Sequence, residues 1–234
     1  MIADKLSQVN ARIASACAAA GRDVQSVTLL AVSKTFDAAA IAEAHAAGQR
    51  RFGENYVQEA VAKIDALADL RPRPEWHLIG PLQTNKTRLV AERFDWVQSV
   101  ERLRIAERLS AQRPEAMAPL SVCLQVNISG EATKSGIAPA EVRAVASAVA
   151  ALPRLRLRGL MAIPEVAGDF AAQRRPHRAL RELLEALRGD GLALDTLSIG
   201  MSGDLEAAIA EGATMVRVGS AIFGERLREV AAGS

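Results

Sequence analysis

The sequence predicts a single (β/α)8 barrel of the TIM type, one domain over residues 1–234, with an extra helix ahead of its first strand. Three observations predict it. Eight short apolar runs, many of their residues β-branched, alternate with longer segments of helical periodicity. Such alternation implies a parallel sheet, and 234 residues approach the roughly 250 usual for the closed fold. No linker, low-complexity tract or repeat divides the chain. An open doubly wound sheet is the rival arrangement of the same elements.

The N-terminal segment spreads its charges at helical spacing and supplies the extra helix. The strands are read at Val27–Ser33, Arg50–Gly53, Trp76–Gly80, Phe94–Val100, Leu120–Asn127, Leu155–Ile163, Thr196–Gly200 and Met215–Gly219. After the first strand, Asp37 can cap a helix that stops at Gly48. After the second, Asn55 can cap a helix whose apolar face is Val57, Val61, Ile64 and Leu67. Pro139 stands in the first turn of a helix carrying Val142, Val145, Val149 and Leu152. Ser202 precedes a helix ending at Gly212, and Pro176 is expected to kink or restart the long helix around it.

Bulk composition narrows the partners. Hydrophobic residues make up 50% and charged residues 24%, and 29 basic residues against 27 acidic ones leave a net charge of +2. The two signs are mixed throughout, which argues against a nucleic-acid or membrane surface and for a small-molecule partner. The two cysteines, Cys17 and Cys123, read as buried hydrophobes in a reducing compartment, with no metal site implied. With no signal-peptide core and no run of about 18 apolar residues, a cytoplasmic protein is expected. Aromatics at 3% and no clear apolar stripe favour a monomer.

In a barrel of this kind the active residues stand where the strands end. Strand one ends in Ser33-Lys34-Thr35. Lys34 is either a rim lysine reaching water or an amine in a low-dielectric mouth, able to condense with an aldehyde. Strand two ends at Gly53, followed by Asn55, whose amide can face the mouth, and by Tyr56. His77 lies within strand three and reads first as a core residue; Gln83, Asn85 and Lys86 follow that strand. A polar loop with Lys134 follows strand five, and Met161 on strand six reads as packing. Strand seven leads to Gly200, Ser202 and Gly203, and strand eight to Arg217, Gly219 and Ser220. Small residues, hydroxyls and helix starts at both ends are what a phosphate needs. Arg217, inside an apolar strand, should point to the mouth and needs an acceptor there. Closure sets strand one beside strand eight, so Lys34 faces the phosphate site. A ligand with both an aldehyde and a phosphate, pyridoxal 5′-phosphate (PLP), fits both ends.

The blocks LLAVSKT, FGENYVQEA, WHLIGPLQTNK, VNISGEATKSGI, RGLMAIP and LSIGMSGDLEAAIAEGATMVRVGSAIFG run in order from Leu29 to Gly224. Together they resemble the pyridoxal phosphate homeostasis proteins. The resemblance implies a barrel related to the N-terminal domain of alanine racemase, with PLP held as an internal aldimine on Lys34. It also implies Ser202, Gly219 and Ser220 around the phosphate and Arg217 facing the pyridine nitrogen. Such an arginine only donates hydrogen bonds, which leaves that nitrogen unprotonated and the cofactor a weaker electron sink. The chain departs from the family at Gly203, where Asp or Asn is usual, and at Phe36-Asp37, where Lys-Pro is frequent.

A racemase needs a base on each face of the cofactor. Lys34 supplies one; related racemases take the other from a second, β-rich domain, for which this chain has no residues left, and Tyr56 and His77 are weak substitutes. The first expectation is therefore a carrier that receives, holds and releases PLP, with PLP-dependent apoenzymes as its recipients. A low-activity amino-acid racemase or lyase, and a barrel binding another phosphorylated metabolite, are the alternatives.

Overall fold

In the computed structural model the described residues are 1–129, 135–165 and 167–224. Helix α1 (Ile2–Ala19) leads into β1 (Thr28–Val32), followed by α2 (Ala38–Ala46), β2 (Arg51–Glu54), α3 (Val57–Ala66) and β3 (Glu75–Leu78). Next come α4 (Thr87–Arg93), β4 (Trp96–Val100), α5 (Leu103–Gln112), β5 (Leu120–Gln125), α6 (Val142–Ala150) and β6 (Leu155–Met161). The chain continues through α7 (Phe170–Gly189), β7 (Thr196–Ser198), α8 (Leu205–Ala210), β8 (Met215–Val218) and α9 (Ser220–Phe223).

The eight strands pair in sequence order, all parallel, and close when β1 pairs with β8, setting Leu30 opposite Arg217 and Ala31 opposite Val218. The barrel is the predicted fold, and the open sheet is excluded. Strands β4 and β5 are buried along their whole length, the polar Gln98, Ser99, Ser121 and Gln125 included, so neither shows an in–out alternation. One large apolar cluster fills the layer between strands and helices. Inside the barrel the apolar contacts are few: Leu30, Ile79 and Met215 form one small cluster, Trp96, Cys123 and Met161 another. Helix α1 buries Leu6, Val9, Ile13 and Cys17 and packs against α2, α8 and α9. Arg12 of α1 forks onto Glu206 of α8 at 2.5 and 2.6 Å.

Three local expectations change. Pro176 does not restart the helix: it lies within a continuous α7 of 20 residues, because the buried stripe of His177, Leu180, Leu184 and Leu187 outweighs one lost backbone bond. Asn55 does not cap α3, whose N-cap is Tyr56, and Ser202 does not cap α8, whose N-cap is Asp204. Asp37 does cap α2, accepting from the Ala40 N–H at 2.9 Å.

A cavity opens at each end of the barrel. The one at the strands' N-terminal ends is about 460 Å3 and is lined by Arg51, Glu75, Asp95, Arg113, Arg158 and Asp195, among others. Among the described residues no helix is long and apolar enough to cross a membrane.

Candidate functional site

The second cavity, about 400 Å3, lies at the C-terminal ends of the strands, and Lys34, Asn55, Ser202, Arg217, Gly219 and Ser220 all line it. Lys34 follows β1 in a turn held from below. Lys63 on α3, almost fully buried, donates to the Ser33 carbonyl at 2.9 Å and to Glu54 Oε1 at 2.8 Å, and also contacts Glu59. Glu54 Oε1 takes the Ser33 hydroxyl at 2.6 Å, and Glu59 takes the Thr35 N–H at 2.6 Å. Both neighbours of Lys34 are therefore fastened to one buried ion cluster. Burial pushes the Glu54 carboxyl above its usual range, against the pull of Lys63 and Ser33. Thr35 sits at φ 68°, a left-handed conformation that a β-branched residue adopts only under constraint, and the Glu59 bond supplies that constraint.

Asn55 reaches the cavity because Gly80 lets the β2–α3 turn settle on the end of β3. A Cβ at Gly80 would stand 2.3 Å from the Asn55 carbonyl oxygen. Asn55 Oδ1 is buried and has no hydrogen-bond donor among the described residues.

Across the mouth, Ser202 and Gly203 form a turn after β7. Gly200 allows it: its φ is +92°, and a Cβ there would meet Ala208 Cβ at 2.5 Å. Asp204 braces the turn, its Oδ1 accepting from the Met201 N–H at 2.7 Å and its Oδ2 meeting His177 Nε2 at 3.0 Å. Burial works against the Asp204 carboxylate, but the His177 and Met201 bonds outweigh it and hold the group below its usual range. Gly219 and Ser220 open α9, whose leading N–H groups have no acceptor within the helix.

Arg217 is buried beneath both turns. Its Nη1 donates to the Ser198 carbonyl at 2.6 Å and the Ser198 hydroxyl at 2.8 Å, and its Nη2 to the Ala162 carbonyl at 2.7 Å. These are the acceptors its place in an apolar strand demanded. Burial pushes its pKa down to about 10, which leaves it charged near neutrality.

A family model, described as the alanine racemase N-terminal domain, matches residues 5–227. A protein of Pseudomonas aeruginosa named pyridoxal phosphate homeostasis protein is 62% identical over 225 residues, covering 96% of both chains. The chain belongs to the pyridoxal phosphate homeostasis protein family. Another similar structure is PipY of Synechococcus elongatus PCC7942 with PLP bound, 40% identical with a TM-score of 0.83 over 96% of this chain and 100% of that one. Alanine racemase from Corynebacterium glutamicum, 22% identical with a TM-score of 0.64 over 94% of this chain and 60% of the racemase, shares the fold.

Within this homeostasis-protein barrel, several sequence candidates stand away from the cavity. Tyr56 is exposed and does not line it, and Gln83 and Asn85 are on the surface. His77 is wholly buried inside the barrel, and Met161 packs on Trp96 and Cys123, as core readings of both require. Lys134 lies outside the described residues. The sequence reading missed the apolar walls, Val32, Phe36, Ile79, Ile163 and Met201. Phe36 stacks on Phe223 at 5.1 Å, a contact between the two ends of the chain that no local pattern signals. It also missed Lys63, whose only mark is a lysine on the inward side of α3.

Proposed function

We propose that the cavity holds PLP and that the protein binds, stores and hands on this cofactor without turning over a substrate. One observation carries the reading: an amine and two small-residue turns face each other across a single cavity with a guanidinium on its floor. The donor set fits the group. Lys34 would supply the amine for the aldehyde, Ser202, Gly219 and Ser220 would hold the phosphate, Arg217 would lie toward the pyridine ring, and Asn55 would offer an Oδ1 that has no donor among the described residues. When bound, PLP supplies an aldehyde that condenses with a primary amine with loss of water.

The same lining supports a carrier over a racemase. Among the described residues that line the cavity, only Lys34 and Arg217 titrate, and Arg217 stays charged near neutrality. That leaves one candidate base where racemisation needs two. PLP-dependent apoenzymes are the recipients on this reading.

Borohydride reduction of the PLP-treated protein, followed by peptide mapping, tests it. The expected result is a pyridoxyl group on the peptide bearing Lys34 and no incorporation of solvent deuterium at Cα of added amino acids. No adduct on Lys34 would overturn PLP binding through this amine. Deuterium incorporation would restore the racemase reading.

A further inference from the structure

A line of side-chain hydrogen bonds crosses the barrel interior from one mouth to the other. Arg217 Nη1 donates to Ser198 Oγ at 2.8 Å, and Ser198 Oγ donates to Gln98 Oε1 at 2.6 Å. Gln98 Nε2 meets His77 Nδ1 at 2.9 Å, and His77 Nε2 meets Glu75 Oε1 at 2.8 Å. Arg217 lines the C-terminal cavity and Glu75 the N-terminal one, while Ser198, Gln98 and His77 are fully buried between them.

The chemistry of the ends sets the direction of the line. An arginine only donates, and an ionised carboxylate only accepts. Ser198 therefore accepts from Arg217 and passes its own proton to Gln98. Gln98 turns its amide nitrogen to His77, which accepts at Nδ1 and donates from Nε2 to Glu75. Every proton points from the cation to the anion. The opposite state is equally discrete. A proton on His77 Nδ1 would face the Gln98 nitrogen, donor against donor, and Gln98 would turn over. Its nitrogen would then meet Ser198 Oγ, which already accepts from Arg217, and the Ser198 proton would lose its acceptor in the line.

We infer that Glu75, His77, Gln98 and Ser198 are positioning residues for Arg217, and that the charge state at Glu75–His77 reaches the cavity floor through the orientation of Gln98. The effect on a bound cofactor rests on the PLP reading; the relay itself does not.

The surroundings favour the cation-to-anion state. Burial pushes His77 below its usual range, against Glu75 and Asp95 and helped by Arg51. Burial opposes the charge on Glu75, but His77 and Arg51 outweigh it and hold the carboxylate ionised. The imidazole stacks on Trp96 at 5.0 Å, which fixes its plane, and Met215 Sδ accepts from Gln98 Nε2 at 3.1 Å. At the other end, Asp204 and Cys123 are the titratable groups that act on Arg217.

The test uses the full-length, ligand-free protein with 15N-labelled histidine and arginine. His77 is expected as the neutral Nε2–H tautomer at pH 7, a result that needs no variant. Glu75→Gln is expected to change the hydrogen-exchange rate of the Arg217 guanidinium about tenfold. In a Gln98→Met background, where the line is cut at nearly constant volume, the same change should have no such effect. A wild-type Nδ1–H tautomer overturns the relay, as does a Glu75→Gln effect that is absent or survives Gln98→Met. If the ligand-free results hold and no pyridoxyl group forms on Lys34, the relay stands and the PLP reading falls.

Discussion

The two mouths of the barrel hold cavities of similar size, about 400 and 460 Å3, yet they differ in what their polar groups still lack. At the N-terminal mouth the charges neutralise one another: Arg51 with Glu75 at 3.1 Å, Arg158 with Asp195 at 2.7 Å, and Asp95 with Arg73 at 2.8 Å. Arg113 is consumed by the carbonyls of Ala91, Phe94 and Ala118. At the C-terminal mouth the buried Asn55 Oδ1 has no donor among the described residues, and small residues leave backbone accessible. Volume does not make a binding site; unmet hydrogen-bonding capacity beside apolar walls does.

The sharpest break in that comparison is Lys34→Ala. It removes the amine and is expected to abolish the borohydride-stable pyridoxyl adduct altogether, read by mass spectrometry of the intact protein. Next comes Lys63→Met, which leaves Glu54 buried without its cation. A loss of about 3–5 kcal/mol is expected in urea unfolding, because an uncompensated buried charge remains.

Acid should act in two stages. His77 is kept neutral by burial, so the unfolded chain takes its proton first, and stability falls as pH drops below about 6.5. Asp204 and Glu75 are held below the usual carboxylate range, so a second loss follows as pH passes below about 4. Glu54, held above its range, works in the opposite sense: the folded chain takes its proton first, so it offsets part of the upper stage and adds nothing once pH is below about 4.3. Thermal midpoints measured against pH should show both stages, and His77→Gln should remove the upper one. The smallest effect belongs to the N-terminal mouth. Arg158→Met breaks a partly exposed ion pair, should cost up to about 1 kcal/mol in urea unfolding, and should leave the Lys34 adduct intact.

The barrel was legible in the sequence because parallel strands covered on both sides leave unbroken apolar runs, and residues 29–32 of β1 are such a run. The candidate site was legible for the same reason, since a lysine, an arginine and paired glycines stand out where such runs stop. Asn55 looked like a cap because a cap and a cavity residue share one position, the turn before a helix; only tertiary contact with Gly80 separates the two roles. His77, Gln98 and Ser198 were illegible as a group. Each is one polar residue in a different apolar strand, and their connection exists only across the closed interior. Lys63 was hidden likewise, its partner Glu54 lying on the preceding strand.

Closure between β1 and β8 also has a consequence for biosynthesis. Lys34 is synthesised directly after β1, and Gly219 and Ser220 follow only after seven further strands. A nascent or truncated chain therefore carries the amine without Gly219, Ser220 and the buried Arg217, which line the same cavity. The complete C-terminal cavity thus forms only when the final strand has docked against the first.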